Sequence, residues 1–117
     1  MENQKIIEVS ITVLRITAED DWKETWIKDH GDSVKESTQY QYLLGNFRPM
    51  QSWMDFRKLS VDYITKPMMK LLQNLIEEGQ KEPILIYKDM RINTGHKRVA
   101  CLLFLGKDKI KAQIVPN

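Results

Sequence analysis

The chain has one cysteine in 117 residues. A single thiol makes no internal disulfide and supplies no Cys pair to a metal, so a reducing, cytoplasmic setting is expected. Histidine is nearly as scarce. His30 and His96 are the only two, and neither sits in a Cys/His group at zinc-ligand spacing, so no metal site is assigned. No apolar run approaches the roughly 20 residues of a membrane span. The first residues, Met1 to Lys5, lack the apolar stretch of a signal peptide, and no membrane partner is expected. Five glycines and four prolines leave no linker or low-complexity segment. Neither a G-x-x-x-x-G-K-[ST] loop nor a G-x-S-x-G elbow is present.

What remains reads as one globular domain over residues 1–117, with 42% hydrophobic and 29% charged residues. Charge is unevenly distributed. Residues 1–78 hold 10 basic and 13 acidic side chains; residues 79–117 hold 8 and 3. A basic C-terminal part suggests an anionic partner there, or else a solvated lysine-rich rim.

Alternation of Ile7, Val9, Ile11 and Val13 with polar residues predicts a strand from Ile6 to Ile16. Thr17 is a plausible cap for a helix that carries Trp22 and Trp26 four residues apart as packing anchors and stops near Gly31. Asp20, Asp21, Glu24, Asp29 and Asp32 form an acidic cluster, read either as a Mg2+ site or as a solvated helix face. Ser37 caps a short helix, Thr38 to Leu44, and Pro49 opens another through Trp53 and Phe56. These aromatic-rich segments form either a plain cover over one side of a sheet or a specificity cap over a pocket.

Thr65-Lys66-Pro67 marks the start of the clearest helix, with Met68, Leu71, Leu72, Leu75 and Ile76 on one face and Gly79 as its stop. Pro83 to Tyr87 reads as a strand buried on both faces, Lys88 to Met90 as a turn, and Arg91 to Asn93 as a returning strand. A central helix follows, from about His96 to Leu105. Lys109 to Val115 is the last strand. Cys101, mid-helix among apolar residues, is expected to be a buried, inert thiol.

The chemistry concentrates between the returning strand and the central helix, at Thr94-Gly95-His96-Lys97-Arg98. A glycine at such a junction takes positive φ and lets another group approach the backbone. The first N–H groups of the helix lack internal partners and point outward, a natural anion site. Lys97 and Arg98 add two cations. The stretch is either a phosphate-binding turn or an ordinary strand-to-helix corner with solvated basic residues. If a reaction occurs there, His96 is the candidate general base.

The order of motifs along residues 67–115 resembles the ParB/sulfiredoxin superfamily. The matching pieces are Leu75-Ile76-Glu77-Glu78-Gly79, Pro83-Ile84, Gly95-His96-Lys97-Arg98, and Leu105-Gly106 followed by Ile110 and Ala112. The resemblance implies a mixed α/β (α+β) fold, with residues 17–65 as a helical, aromatic-rich insertion after the first strand. It also implies a nucleotide (ATP or CTP), with or without Mg2+, or another phosphorylated small molecule at Thr94, Gly95, His96, Lys97 and Arg98. Arg98 would be the phosphate-binding arginine. His96 stands where sulfiredoxins have their reactive cysteine, and Thr94 where many members have an acid. Kinase, nucleotide-hydrolysing and nuclease activities are linked to the family. The alternative is a non-enzymatic module that binds DNA, RNA or a protein through the basic C-terminal surface.

Overall fold

The computed structural model describes residues 5–116. Among these, four strands and five α-helices follow one another as β1 (Ile7–Ser10), α1 (Asp21–His30), α2 (Thr38–Leu43), α3 (Arg48–Arg57), α4 (Asp62–Glu78), β2 (Ile84–Ile86), β3 (Ile92–Thr94), α5 (His96–Phe104) and β4 (Lys109–Ile114). The fold is mixed α+β, as expected. The strands form one sheet in the order β1-β4-β2-β3, with β1–β4 and β2–β3 antiparallel and β2–β4 parallel.

The first strand is shorter than its alternation suggests. At Ser10 the hydroxyl accepts the Thr12 N–H at 3.3 Å, and Ile11–Val13 tighten into a 3₁₀ turn. That turn shifts the phase: Ile11, Leu14 and Ile16 point inward, while Val13 is exposed. The chain then runs extended past the hairpin turn, with Arg15 N–H donating to Met90 O at 2.9 Å and Ile92 N–H to Arg15 O at 2.8 Å. Thr17 is not the cap of α1. Asp20 is, its Oδ1 accepting the Lys23 N–H at 2.9 Å.

Trp22 and Trp26 stack on α1 at 5.2 Å and 10°, and Trp26 stacks on His30 at 3.7 Å. Both indoles are half-buried. Trp22 Nε1 donates to Ser52 Oγ on α3, and Trp26 Nε1 to Glu36 O, so they anchor α1 to its neighbours. Ser37 caps α2 as expected, accepting the Tyr40 N–H.

Helix α4 begins one turn earlier than Thr65-Lys66-Pro67 suggests, at Asp62, so Pro67 lies inside it. A proline in the second turn forfeits one N–H near an end that already has unpaired groups. The expected apolar face is buried at Met68, Leu72 and Leu75, but Ile76 stays 63% exposed.

Two apolar clusters result. The larger joins the sheet residues Val9, Ile84, Ile86, Ile92, Ile110 and Ala112 to α4 and α5. The smaller gathers Met50, Trp53 and Met54 of α3 with Ile64 of α4. Helix α5 packs against both α2 and α4, the central position its apolar sequence predicts. Cys101 is fully buried there, and desolvation pushes its thiol up to about 11, so it is a packing residue.

Candidate functional site

Strand β3 ends at Thr94, and Gly95 turns the chain into α5 at φ 117°, ψ 20°. This backbone conformation favours glycine. The close neighbour is not a ligand but the sheet itself. A Cβ on Gly95 would lie 2.6 Å from Ile84 Cγ2 and 3.0 Å from Ile84 Cβ. Gly95 therefore seats the head of α5 directly on β2. A glycine has no side chain to cap the helix, so the first N–H groups of α5 have no side-chain partner.

Those groups open on a cavity of about 490 Å³, a usual size for a small-molecule site. All five residues singled out in the sequence, Thr94 to Arg98, line it. The opposite walls come from the segment between β1 and β2. Thr17 and Glu19 precede α1, Gln39 lies on α2, Trp53 on α3, and Ile64 and Leu71 on α4. The middle of the chain thus helps to enclose the cavity, through Gln39 and Trp53.

His96 is held from the far side. Its Nε2 lies 3.2 Å from the Thr17 N–H nitrogen and 3.2 Å from Thr17 Oγ1. The Thr17 hydroxyl donates to Ile92 O at 2.9 Å, so Nε2 accepts from the backbone and bears no proton. The neutral ring then carries its proton on Nδ1. Burial, with the nearby Lys23 charge adding to it, lowers the His96 pKa to about 4. The imidazole therefore faces its surroundings as a neutral donor, its one basic nitrogen already occupied.

Lys97 and Arg98 are half-buried and, among the described residues, form no ion pair with a carboxylate. Thr94 Oγ1 donates to Asn93 Oδ1, and Asn93 Nδ2 to Tyr87 Oη, which ties the end of β3 to the hairpin. Lys107, Lys109 and Lys111 are exposed and do not line the cavity. Two members of the acidic cluster have structural partners. Asp20 caps α1 and accepts from Trp53 Nε1 at 2.9 Å, and Asp32 pairs with Arg15 at 2.9 Å. Among the described residues no group of three or more His, Cys, Asp or Glu side chains converges to hold a metal.

Comparison with family models, with curated proteins and with solved structures finds no match. Thr17, Glu19 and Gln39 are not legible as cavity residues in the sequence, whereas Trp53 belongs to the segments for which a cap over a pocket is one of the two readings. Gln39 left a faint trace, as a polar residue inside a short amphipathic helix. Thr17 was read as a cap, because the same hydroxyl chemistry serves both roles.

Proposed function

We propose that this cavity binds a phosphate-bearing small molecule, a nucleotide such as ATP or CTP or another phosphorylated compound. One observation carries the reading: Thr94 to Arg98 line a single cavity whose floor is an uncapped helix N-terminus. Backbone N–H groups, the helix dipole and two cations without counter-ions converge there, the combination that anions favour. Membership of the ParB/sulfiredoxin superfamily is part of the same proposal, supported by the motif order along residues 67–115. So is a cytoplasmic location, supported by the lone buried thiol. No helix among the described residues is long and apolar enough to cross a membrane.

In this reading Arg98 and Lys97 neutralise the phosphate, and the Nδ1–H of His96 donates to it. Any phosphoryl chemistry would rest on positioning and electrostatic stabilisation. His96 orients and does not abstract a proton. Glu19, the acid on the cavity wall, takes the place of a base or of a Mg2+ ligand, since Mg2+ at phosphate sites commonly needs only one or two carboxylates.

The test is thermal stability against ATP, ADP, CTP, GTP and inorganic phosphate, each with and without Mg2+, for the wild type and Arg98→Ala. A ligand at 100 times its Kd stabilises the fold by about 2.7 kcal/mol. The expected outcome is a ligand-selective shift lost in the variant, whose unliganded melting is unchanged. No shift with any phosphate compound refutes the site. The exposed Lys107, Lys109 and Lys111 support a second reading, DNA or RNA binding at that surface, which predicts an affinity falling steeply with salt.

A further inference from the structure

Helix α2 opens on three consecutive polar residues, Ser37, Thr38 and Gln39, and all three are buried. Burying a polar side chain costs stability unless it has a partner. Two of them have structural ones. Ser37 Oγ accepts the Tyr40 N–H at 3.1 Å and caps the helix. Thr38 Oγ1 donates to Gln39 Oε1 at 3.1 Å, which engages the oxygen of that amide. The nitrogen of the amide is different. Gln39 is 2% exposed, and its Nε2 has no hydrogen-bond partner among the described residues. Yet no fully enclosed side-chain nitrogen or oxygen among them lacks a partner. Nε2 is therefore not sealed in the packing but reaches open space, and the space that Gln39 lines is the cavity at the head of α5.

The other polar side chains of the wall sort into committed and free. Thr17 Oγ1 donates to Ile92 O, Thr94 Oγ1 to Asn93 Oδ1, and Asn93 Nδ2 to Tyr87 Oη. Glu19 has neither a hydrogen bond nor an ion pair among the described residues. Away from the head of α5, the wall thus offers an amide donor at Gln39 and a carboxylate acceptor at Glu19. A hydroxyl answers both, since it accepts from an amide and donates to a carboxylate. A second anionic group would be repelled by Glu19, and an ammonium would give Gln39 no acceptor. Nor does the wall provide a platform for a nucleobase. Trp53 is 1% exposed, with Lys23 Nζ 3.8 Å over its ring, and Ile64 and Leu71 complete the lining.

We propose that Gln39 is a specificity residue of this cavity and that the ligand is a hydroxylated phosphate monoester, a small polyol or sugar phosphate. That assignment rests on the phosphate reading above. The head of α5 takes the phosphate. Gln39 Nε2 donates to a ligand hydroxyl, and Glu19 accepts from one. Gln39 is carried by α2, which packs directly on α5. The span from phosphate to hydroxyl is therefore set by two packed helices, a more precise support than a loop.

The experiment is calorimetric titration of the full chain with propyl phosphate, which has no hydroxyl, and with glycerol phosphate, ribose phosphate and glucose phosphate, each phosphorylated on a terminal carbon. ATP and CTP complete the panel. A site built to bond a hydroxyl rejects the analogue that lacks it. We expect at least one hydroxylated monoester to bind about tenfold or more tightly than propyl phosphate. In Gln39→Met, which keeps the length and drops the amide, that preference should vanish while propyl phosphate binds as before. A readout without any variant is the Gln39 side-chain amide resonance of nitrogen-15-labelled protein, which decides the matter if Gln39→Met does not fold. It should move with the preferred monoester and stay in place with propyl phosphate. Equal binding of propyl phosphate and every hydroxylated monoester, a preference that survives in Gln39→Met, or an unmoved resonance overturns the role of Gln39 alone. Tighter binding of ATP or CTP than of every monoester overturns the ligand class and leaves the phosphate reading standing. Absence of binding by the whole panel overturns the phosphate reading and the inference with it.

Discussion

Replacing Gly95 by alanine tests whether the head of α5 is fixed by the sheet. Two costs apply at once. An L-residue at φ 117° is strained whatever the space around it, at about 1–3 kcal/mol for such a region. The new methyl also meets Ile84 Cγ2 at 2.6 Å, so the helix or the strand must move, and overpacking of this kind costs about 1–3 kcal/mol. Together they remove about 2–6 kcal/mol, a large share of the 5–15 kcal/mol typical of a domain. For a chain of this length that corresponds to a Tm lower by roughly 10–20 °C. The assay is urea and thermal unfolding followed by far-UV circular dichroism. A double-mutant cycle separates the two costs. Ile84→Ala removes Cγ2 and destabilises by about 2–5 kcal/mol on its own. Combined with Gly95→Ala it should be less harmful than the sum by about 1–3 kcal/mol, because the 2.6 Å contact with Cγ2 is gone and the backbone strain and the 3.0 Å contact with the residue 84 Cβ remain. A Gly95→Ala protein that melts within two degrees of wild type, or a strictly additive cycle, would refute the reasoning.

Two further predictions follow from the same region. His96 titrates at about 4 in the fold against 6.5 when unfolded. Between these values the unfolded chain binds a proton that the fold refuses. Stability is therefore complete above about pH 6.5 and falls as the pH drops toward 4, by up to ~3 kcal/mol. Urea midpoints at pH 7, 5.5 and 4.5 should show this slope in wild type and a flatter one in His96→Gln; equal slopes would remove His96 as the cause. Asp20→Ala removes a helix cap and the acceptor of Trp53 Nε1 together, and should cost about 2–3 kcal/mol in urea unfolding. A loss below 0.5 kcal/mol, measured with an error smaller than that, would show that water replaces both bonds.

Much of the fold was legible because periodicity reports burial directly. The runs around Pro83–Tyr87, Lys109–Val115 and the central helix have the expected type and nearly the expected bounds. The failures occurred where one residue type serves two local structures. Ser10 ends β1 by bonding Thr12, and from there the alternation of Val13, Leu14 and Ile16 belongs to a differently phased segment. Pro67 suits a first turn, yet α4 accommodates it one turn further in because Ile64 and Thr65 are buried by packing against α3 and its neighbours. At the candidate site, the turn Thr94 to Arg98 could be read from local chemistry alone. Its partners could not. Thr17 meets His96 across 79 residues, and Trp53 receives its carboxylate from Asp20 across 33. Nothing in local spacing encodes such pairs.

The three tryptophans occupy two different settings. Trp22 and Trp26 lie nearly parallel at 5.2 Å on α1, outside the cavity. Trp53 stands apart from that stack, in the cavity wall, with an ammonium over its face and a carboxylate on its N–H. Its emission colour depends on those two charges. Changes at this wall of the cavity can therefore be followed by fluorescence in an unlabelled sample.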